Sequence, residues 1–181
     1  IDGGKDKSAH SFLRWKYGLK KYHKEFHAII MTHADEDHAA GLINILKDEH
    51  IVPRAIYHNG IAKQSDGSLG EVSRDGDDKM LVELYDDAED LRPKYDKLSE
   101  IYRNWIDTVA KARNRAQENN LDFRCTRADQ NTEPIQIGGP NGVKITFLGP
   151  VNVGDRDKPS LRVFGDESQT INGNSVSLLL E

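Results

Sequence analysis

Between His27 and His58 an apolar run, a His/Asp-rich loop, an amphipathic stretch and a second apolar run follow one another almost without a break. No other feature constrains the fold as strongly. His27-Ala28-Ile29-Ile30-Met31 reads as a short buried strand, and Thr32 to His38 as a polar loop. Ala39 to Glu49 places Leu42, Ile45 and Leu46 on one helical face, and Arg54 to His58 is the next short strand before the Asn59-Gly60 turn. Strand, helix, strand with short connections is a βαβ unit, which requires a mixed or parallel sheet with helices packed on it. The fold class expected is therefore α/β.

The loop inside that unit carries the chemistry. His33, Asp35, Asp37 and His38 are four metal-ligating side chains within six residues. His33 and Asp35, two apart, can point to one side of an extended loop, whereas the adjacent Asp37 and His38 must diverge. One loop can thus offer two ligands to each of two ions. The helix that follows fixes the end of the loop, and Gly41 allows close approach to its first turn. The plainer alternative is a polar loop in which Asp37 caps the helix and both histidines are solvated.

The rest of the chain sets the context. Its 181 residues, 36% hydrophobic and 30% charged, suit one soluble domain. No run approaches the ~18 apolar residues of a membrane span, and there is no signal-peptide pattern. The single cysteine, Cys125, excludes a disulfide framework and a Cys-cluster zinc site and makes the cytoplasm the expected compartment; in its strand it reads as a small buried apolar group. The opening Ile1-Asp2-Gly3-Gly4 reads as a strand end and turn, and the close on Val176 to Leu180 as a bare strand, so the domain is expected to be incomplete at both ends.

Phe12, Trp15, Leu19 and Tyr22 recur at helical spacing and predict a core-facing helix over Ser8 to Tyr22. Residues 5–24 hold seven Lys/Arg against one Asp, a local +6 that reads as a solvated helix face or as a patch facing an anionic substrate. Residues 61–78 read as loop and Lys79 to Asp90 as a short helix. Tyr95 to Asn119 is the clearest helix, with a stripe of Leu98, Ile101, Tyr102, Trp105, Val109 and Ala112. Residues 71–122 carry fourteen acidic against nine basic residues, a net of −5 that equals the charge of the whole chain. A protein partner or a dimer through this 71–122 segment is one expectation. From Leu121 the texture turns to β, with a hairpin around Gly138 to Gly142, a long polar loop over Val151 to Gly173, and a last strand.

The segment Thr32-His33-Ala34-Asp35-Glu36-Asp37-His38-Ala39-Ala40-Gly41-Leu42 closely resembles the signature of the metallo-β-lactamase superfamily, H-x-[HD]-x-D-H at the end of a buried strand. With Asp at the third position and the small-small-Gly-Leu run after it, it is most similar to the ComEC-type competence proteins and related stand-alone hydrolases. Asp2-Gly3-Gly4, Ile145 to Pro150, and Asn172-Gly173-Asn174-Ser175 resemble further motifs of that branch. The resemblance covers about residues 1–60 and 135–181. It implies one partial domain over 1–181, an αββα sandwich with a helical insertion at about 61–130. The family completes its site with a Gly-Asp and a late His, which would fall beyond Glu181; Phe164-Gly165-Asp166 reads as turn chemistry instead.

By this resemblance His33 and Asp35 would share one divalent ion and Asp37 and His38 the other. Asp37 would also accept a hydrogen bond from the attacking water. Asp35 in place of a histidine hardens the site, so the expected ions are zinc or manganese. Asp2 is expected to orient a ligand. His58, ending a parallel-type strand, is a candidate for lying near the ions. Asn172 and Ser175 are candidates for substrate contact, with strand capping as the alternative. The leading expectation is a di-metal hydrolase of phosphodiesters, DNA or RNA. Hydrolysis of small esters, lactones or thioesters is the second reading, since fold does not fix substrate, and an interaction module with a vestigial or structural metal site is the third.

Overall fold

A computed structural model describes residues 1–139, 141–155 and 157–181. Pro140, within the glycine-rich turn expected between two strands, lies outside them. The chain is mixed α/β, with four α-helices, one 3-10 helix and four small sheets among the described residues.

The βαβ unit forms as expected. Strands β1 (Lys24–Phe26) and β2 (Ile29–Ile30) run parallel to β3 (Ile51–Pro53) and β4 (Ala55–His58), with helix α2 (Glu36–Leu46) as the crossover and helix α1 (Ser8–Tyr17) preceding them. The hairpin β5 (Val72–Asp75) and β6 (Asp78–Leu81) comes next, then a 3-10 helix (Ala88–Lys97), helix α3 (Glu100–Glu118) and strand β7 (Arg124–Arg127). β7 extends the parallel sheet to β2-β4-β7, in register Ile29–Ile56–Cys125 and Ile30–Tyr57–Thr126 across its width. Strands β8 (Ile135–Ile137), β9 (Val143–Gly149) and β11 (Ser177–Leu180) form an antiparallel sheet. β10 (Leu161–Arg162) joins β6, and helix α4 (Glu167–Gly173) precedes β11.

Alternation along the strands builds the layers. Ile29, Ile56 and Cys125 face a core with Leu42, Leu46, Trp105, Ile106 and Val109 of α2 and α3. Their neighbours Ile30, Ala55 and Tyr57 face the other way, onto Phe147 of the antiparallel sheet and Val176 just before β11. The parallel sheet is therefore covered on one face by helices and on the other by a second sheet, because successive side chains point to opposite faces.

Several local expectations are corrected. Helix α1 stops at Tyr17, where Gly18 takes a left-handed φ of 62° and its N–H bonds back to the Arg14 carbonyl. The helical phase is lost there, so Leu19 is buried while Phe12, Trp15 and Tyr22 are exposed; Ala9 and Leu13 pack inward instead. The stretch read as loop over 61–78 and helix over Lys79 to Asp90 contains the β5–β6 hairpin and the start of the 3-10 helix. The polar loop expected over Val151 to Gly173 includes β10 and α4, with Asp166 forming a capping box with Gln169. The turn chemistry at Gly165-Asp166 thus serves a helix start.

The 61–130 segment is integral to the core. The stripe residues Leu98, Tyr102, Trp105, Val109 and Ala112 are buried within the chain, with Ile101 partly so, and Arg115 of α3 donates to the Leu46 carbonyl at the C-terminus of α2 (2.5 Å). The apolar stripe of α3 is thus covered by the chain's own core.

Candidate metal-binding site

Four segments converge where β2 ends. Asp2 N–H donates to the Ile30 carbonyl (2.8 Å), Gly3 N–H to His38 (2.9 Å), Gly41 N–H to Gly4 (2.7 Å), and Val176 N–H to Thr32 (2.9 Å). The N-terminal turn lies so close to α2 that a Cβ on Gly41 would sit 1.7 Å from the Gly3 carbonyl oxygen, and one on Gly3 would sit 2.0 Å from the Leu42 nitrogen. Both glycines are steric requirements of that crossing. Asp2 itself has a φ of 45°, a left-handed conformation that Asp tolerates better than most residues.

Helix α2 begins three residues earlier than expected, at Glu36, with Asp35 rather than Asp37 at the N-cap. The Asp35 side chain makes no capping hydrogen bond, so its carboxylate is not committed to the helix. His33 is buried and His38 is half-buried against Asp2, so neither is a freely solvated side chain. The plain capping-loop alternative does not describe this geometry.

Hydrogen-bond accounting fixes what the two imidazoles present. His38 Nδ1 lies 2.8 Å from Asp2 Oδ2, and an ionised carboxylate only accepts, so Nδ1 carries the hydrogen. His33 Nδ1 lies 3.1 Å from Thr32 Oγ1 and 3.2 Å from Ser175 Oγ. The Thr32 hydroxyl already donates to Asp2 (2.8 Å) and the Ser175 hydroxyl to the Asn172 carbonyl (2.8 Å), so both accept from His33. Each ring therefore turns its Nε2 outward, and in the neutral tautomer that these contacts favour that atom carries the lone pair. His33 Nε2 lies 3.7 Å from Asp35 Oδ2, and His38 Nε2 lies 3.7 Å from Asp37 Oδ2. With both rings neutral, acceptor would face acceptor across each gap, an arrangement that a proton or a metal ion relieves.

The electrostatics agree. Burial, and then the neighbouring His38, hold the His33 pKa below the ordinary imidazole value, favouring the neutral form a metal requires. The rings stand 4.0 Å apart, centroid to centroid. Among the described residues no three His, Cys, Asp or Glu side chains form a ready-made cation cage; the donors stand as two pairs. Two nitrogen and two carboxylate donors are of the types that would hold zinc or manganese.

The other expected residues divide. Asp2 and Ser175 meet the imidazoles. Asn172 sits in the last turn of α4 rather than at a strand start, and its amide bonds back to the Ser168 carbonyl (2.9 Å). Its neighbour Asn174 is the buried one, donating to the Arg162 and Thr170 carbonyls (both 2.8 Å) and holding the turn that presents Ser175. His58 stacks on Tyr85 at 4.3 Å and accepts from Gly60 N–H (3.1 Å); Asp87 and Arg127, not the His33–His38 loop, supply the charges it feels. Cys125 is a buried thiol whose pKa desolvation pushes up to about 12, which makes it inert.

Two contributors carried no advance assignment. Thr32 links Asp2 to both imidazoles, and its adjacency to His33 was the available signal. Beside Asp35 opens a cleft of about 540 Å³ lined by Lys63, Ser99, Glu100 and Asn104 among others. No local pattern marks those residues, because they reach the loop only through the packing of α3 on α2. No family model, curated protein or solved structure matches this chain.

Proposed function

We propose that the chain is a metal-dependent hydrolase of phosphodiester bonds, built on part of a metallo-β-lactamase-like αββα sandwich. The observation that carries this reading is the pair of outward Nε2 atoms, each 3.7 Å from a carboxylate oxygen, with both Nδ1 atoms already engaged. The helix–sheet–sheet layering and the resemblance of the Thr32–Leu42 segment support it.

In this reading His33 and Asp35 hold one ion and Asp37 and His38 a second. Bound divalent ions supply Lewis acidity, lowering the pKa of water and stabilising charge on the attacked group. The protein's own residues do the rest. Asp2 fixes the His38 tautomer and ring orientation, as Thr32 and Ser175 do for His33. The Asp37 side chain, 68% exposed, is open to solvent and accepts a hydrogen bond from the attacking water. The cleft beside Asp35 admits substrate, with Lys63 to meet an anionic group. The basic 5–24 segment, which includes the helix packed against α2 and the residues flanking it, favours a phosphodiester over a neutral ester.

The test is metal content by mass spectrometry together with cleavage of single- and double-stranded DNA, comparing the wild type with Asp37→Ala. Two divalent ions per chain and cleavage abolished in the variant are expected. Unchanged cleavage overturns the role of Asp37, and activity confined to small esters replaces the substrate assignment.

A further inference from the structure

Helix α1 and the turn after it carry a surface that the hydrolytic site does not use. Phe12, Trp15 and Tyr22 are 56%, 77% and 67% exposed, and the Phe12 and Trp15 rings lie 6.0 Å apart. Lys16, Lys20 and Lys21 are exposed among them, and none has a carboxylate partner within 4.0 Å among the described residues. The helix is held in place, since His10 and Arg14 both reach the buried Asp48 carboxylate at 2.7 and 3.3 Å. The same segment is continuous with the Gly3–Gly4 turn bonded to α2, so the surface and the metal loop belong to one packing unit.

The chemistry of this surface is specific. Its apolar area is aromatic; the aliphatic Leu13 and Leu19 of the same segment face inward. Flat exposed rings among unpaired cations offer base stacking and phosphate neutralisation together, the combination by which single strands are gripped. A duplex keeps its base faces stacked inside, out of reach of such rings; an anionic membrane would meet the same lysines, so vesicles form one arm of the test.

We propose that this surface docks single-stranded nucleic acid, with bases stacked on Phe12 and Trp15 and phosphates on Lys16, Lys20 and Lys21. The inference rests on the phosphodiester reading above and names how such a substrate is held.

Trp15 is exposed and the only other tryptophan, Trp105, is buried, so intrinsic fluorescence of the wild type reports on the surface, while the anisotropy of fluorescein-labelled strands gives the affinity of every variant, the one lacking Trp15 included. The full chain is titrated in EDTA with a thymidine 12-mer, with a duplex of equal length, and with phosphatidylserine vesicles, so that binding is read without cleavage. Expected are quenching by the single strand, affinity at least ~10-fold weaker in Phe12→Ala/Trp15→Ala, and a salt dependence flattened by about 2 log units per log unit in a Lys16→Gln/Lys20→Gln/Lys21→Gln variant. Equal affinity of the aromatic variant, preference for the duplex, or binding to vesicles alone overturns the proposal. If the single strand does not bind while Asp37-dependent hydrolysis persists, the surface assignment fails and the hydrolase stands. Binding without hydrolysis in the metal-loaded protein gives the converse.

Discussion

The Asp2 carboxylate spans two segments at once: one oxygen accepts from the Thr32 backbone N–H at 2.8 Å, while the other lies 2.8 Å from His38 Nδ1. Asp2 thereby orients an imidazole thirty-six positions later. Asp2→Asn keeps one acceptor for Thr32 but offers an amide N–H₂ or a weaker, neutral acceptor to His38. Zinc or manganese affinity is expected to fall by ~10–100-fold, with thermal stability little changed. Chelator competition and a melting curve on the same samples check this.

The crossing of the N-terminal turn over α2 leaves no space for a methyl group. Gly41→Ala places its Cβ against the Gly3 carbonyl, and the backbones must separate. A loss of about 1–3 kcal/mol is expected, read as a lower urea midpoint at unchanged m-value. Since Gly3 N–H bonds the His38 carbonyl, metal affinity should fall with it.

Helix α3 is expected to unfold with the whole domain. Ile106 is fully buried against the helical face of the parallel sheet, so Ile106→Ala should cost about 2–5 kcal/mol. Lys111→Ala, on the exposed face of the same helix, should stay within ~0.5 kcal/mol. Circular dichroism and tryptophan emission should give one coincident transition; separate transitions would show that α3 folds independently.

His58 makes stability depend on pH. Burial depresses its pKa from 6.5 to about 3, so the unfolded chain binds the proton more readily than the folded one. Its contribution is full above 6.5 and is lost progressively as pH falls from there towards 3. His58→Asn retains an acceptor for Gly60 N–H but does not titrate. Between about pH 4 and 6 the wild-type unfolding free energy should fall more steeply than the variant's, by at most ~1.4 kcal/mol per pH unit. Parallel slopes would show that His58 is not the group responsible.

The residues themselves reveal how much was legible in advance. Apolar runs at Ile29–Ile30 and Ala55–His58 and the α3 stripe identify their elements because both periods are local and their partners lie within a few turns. The clustering of His33, Asp35, Asp37 and His38 on one loop is legible for the same reason, as is the Gly41 approach. Phe12, Trp15 and Tyr22 misled because a single left-handed residue, Gly18, breaks the helical phase that their spacing assumes. The β5–β6 hairpin and α4 were hidden in polar sequence, where tertiary pairing and capping outweigh propensity.

By itself, then, the sequence determined a βαβ unit with two histidines and two aspartates on one loop. Only the tertiary structure decided what those side chains present. The Nδ1 partners come from Asp2 and from Ser175, more than thirty and more than one hundred positions away, and a hydrogen bond across such separations leaves no periodic trace in the chain. The same holds for Asn174, whose buried amide outranks the Asn172 of the motif, and for His58, turned towards Tyr85 by the packing of its strand. Local order follows from short-range geometry; the charge state and orientation of the site follow from which distant segments fill the remaining space.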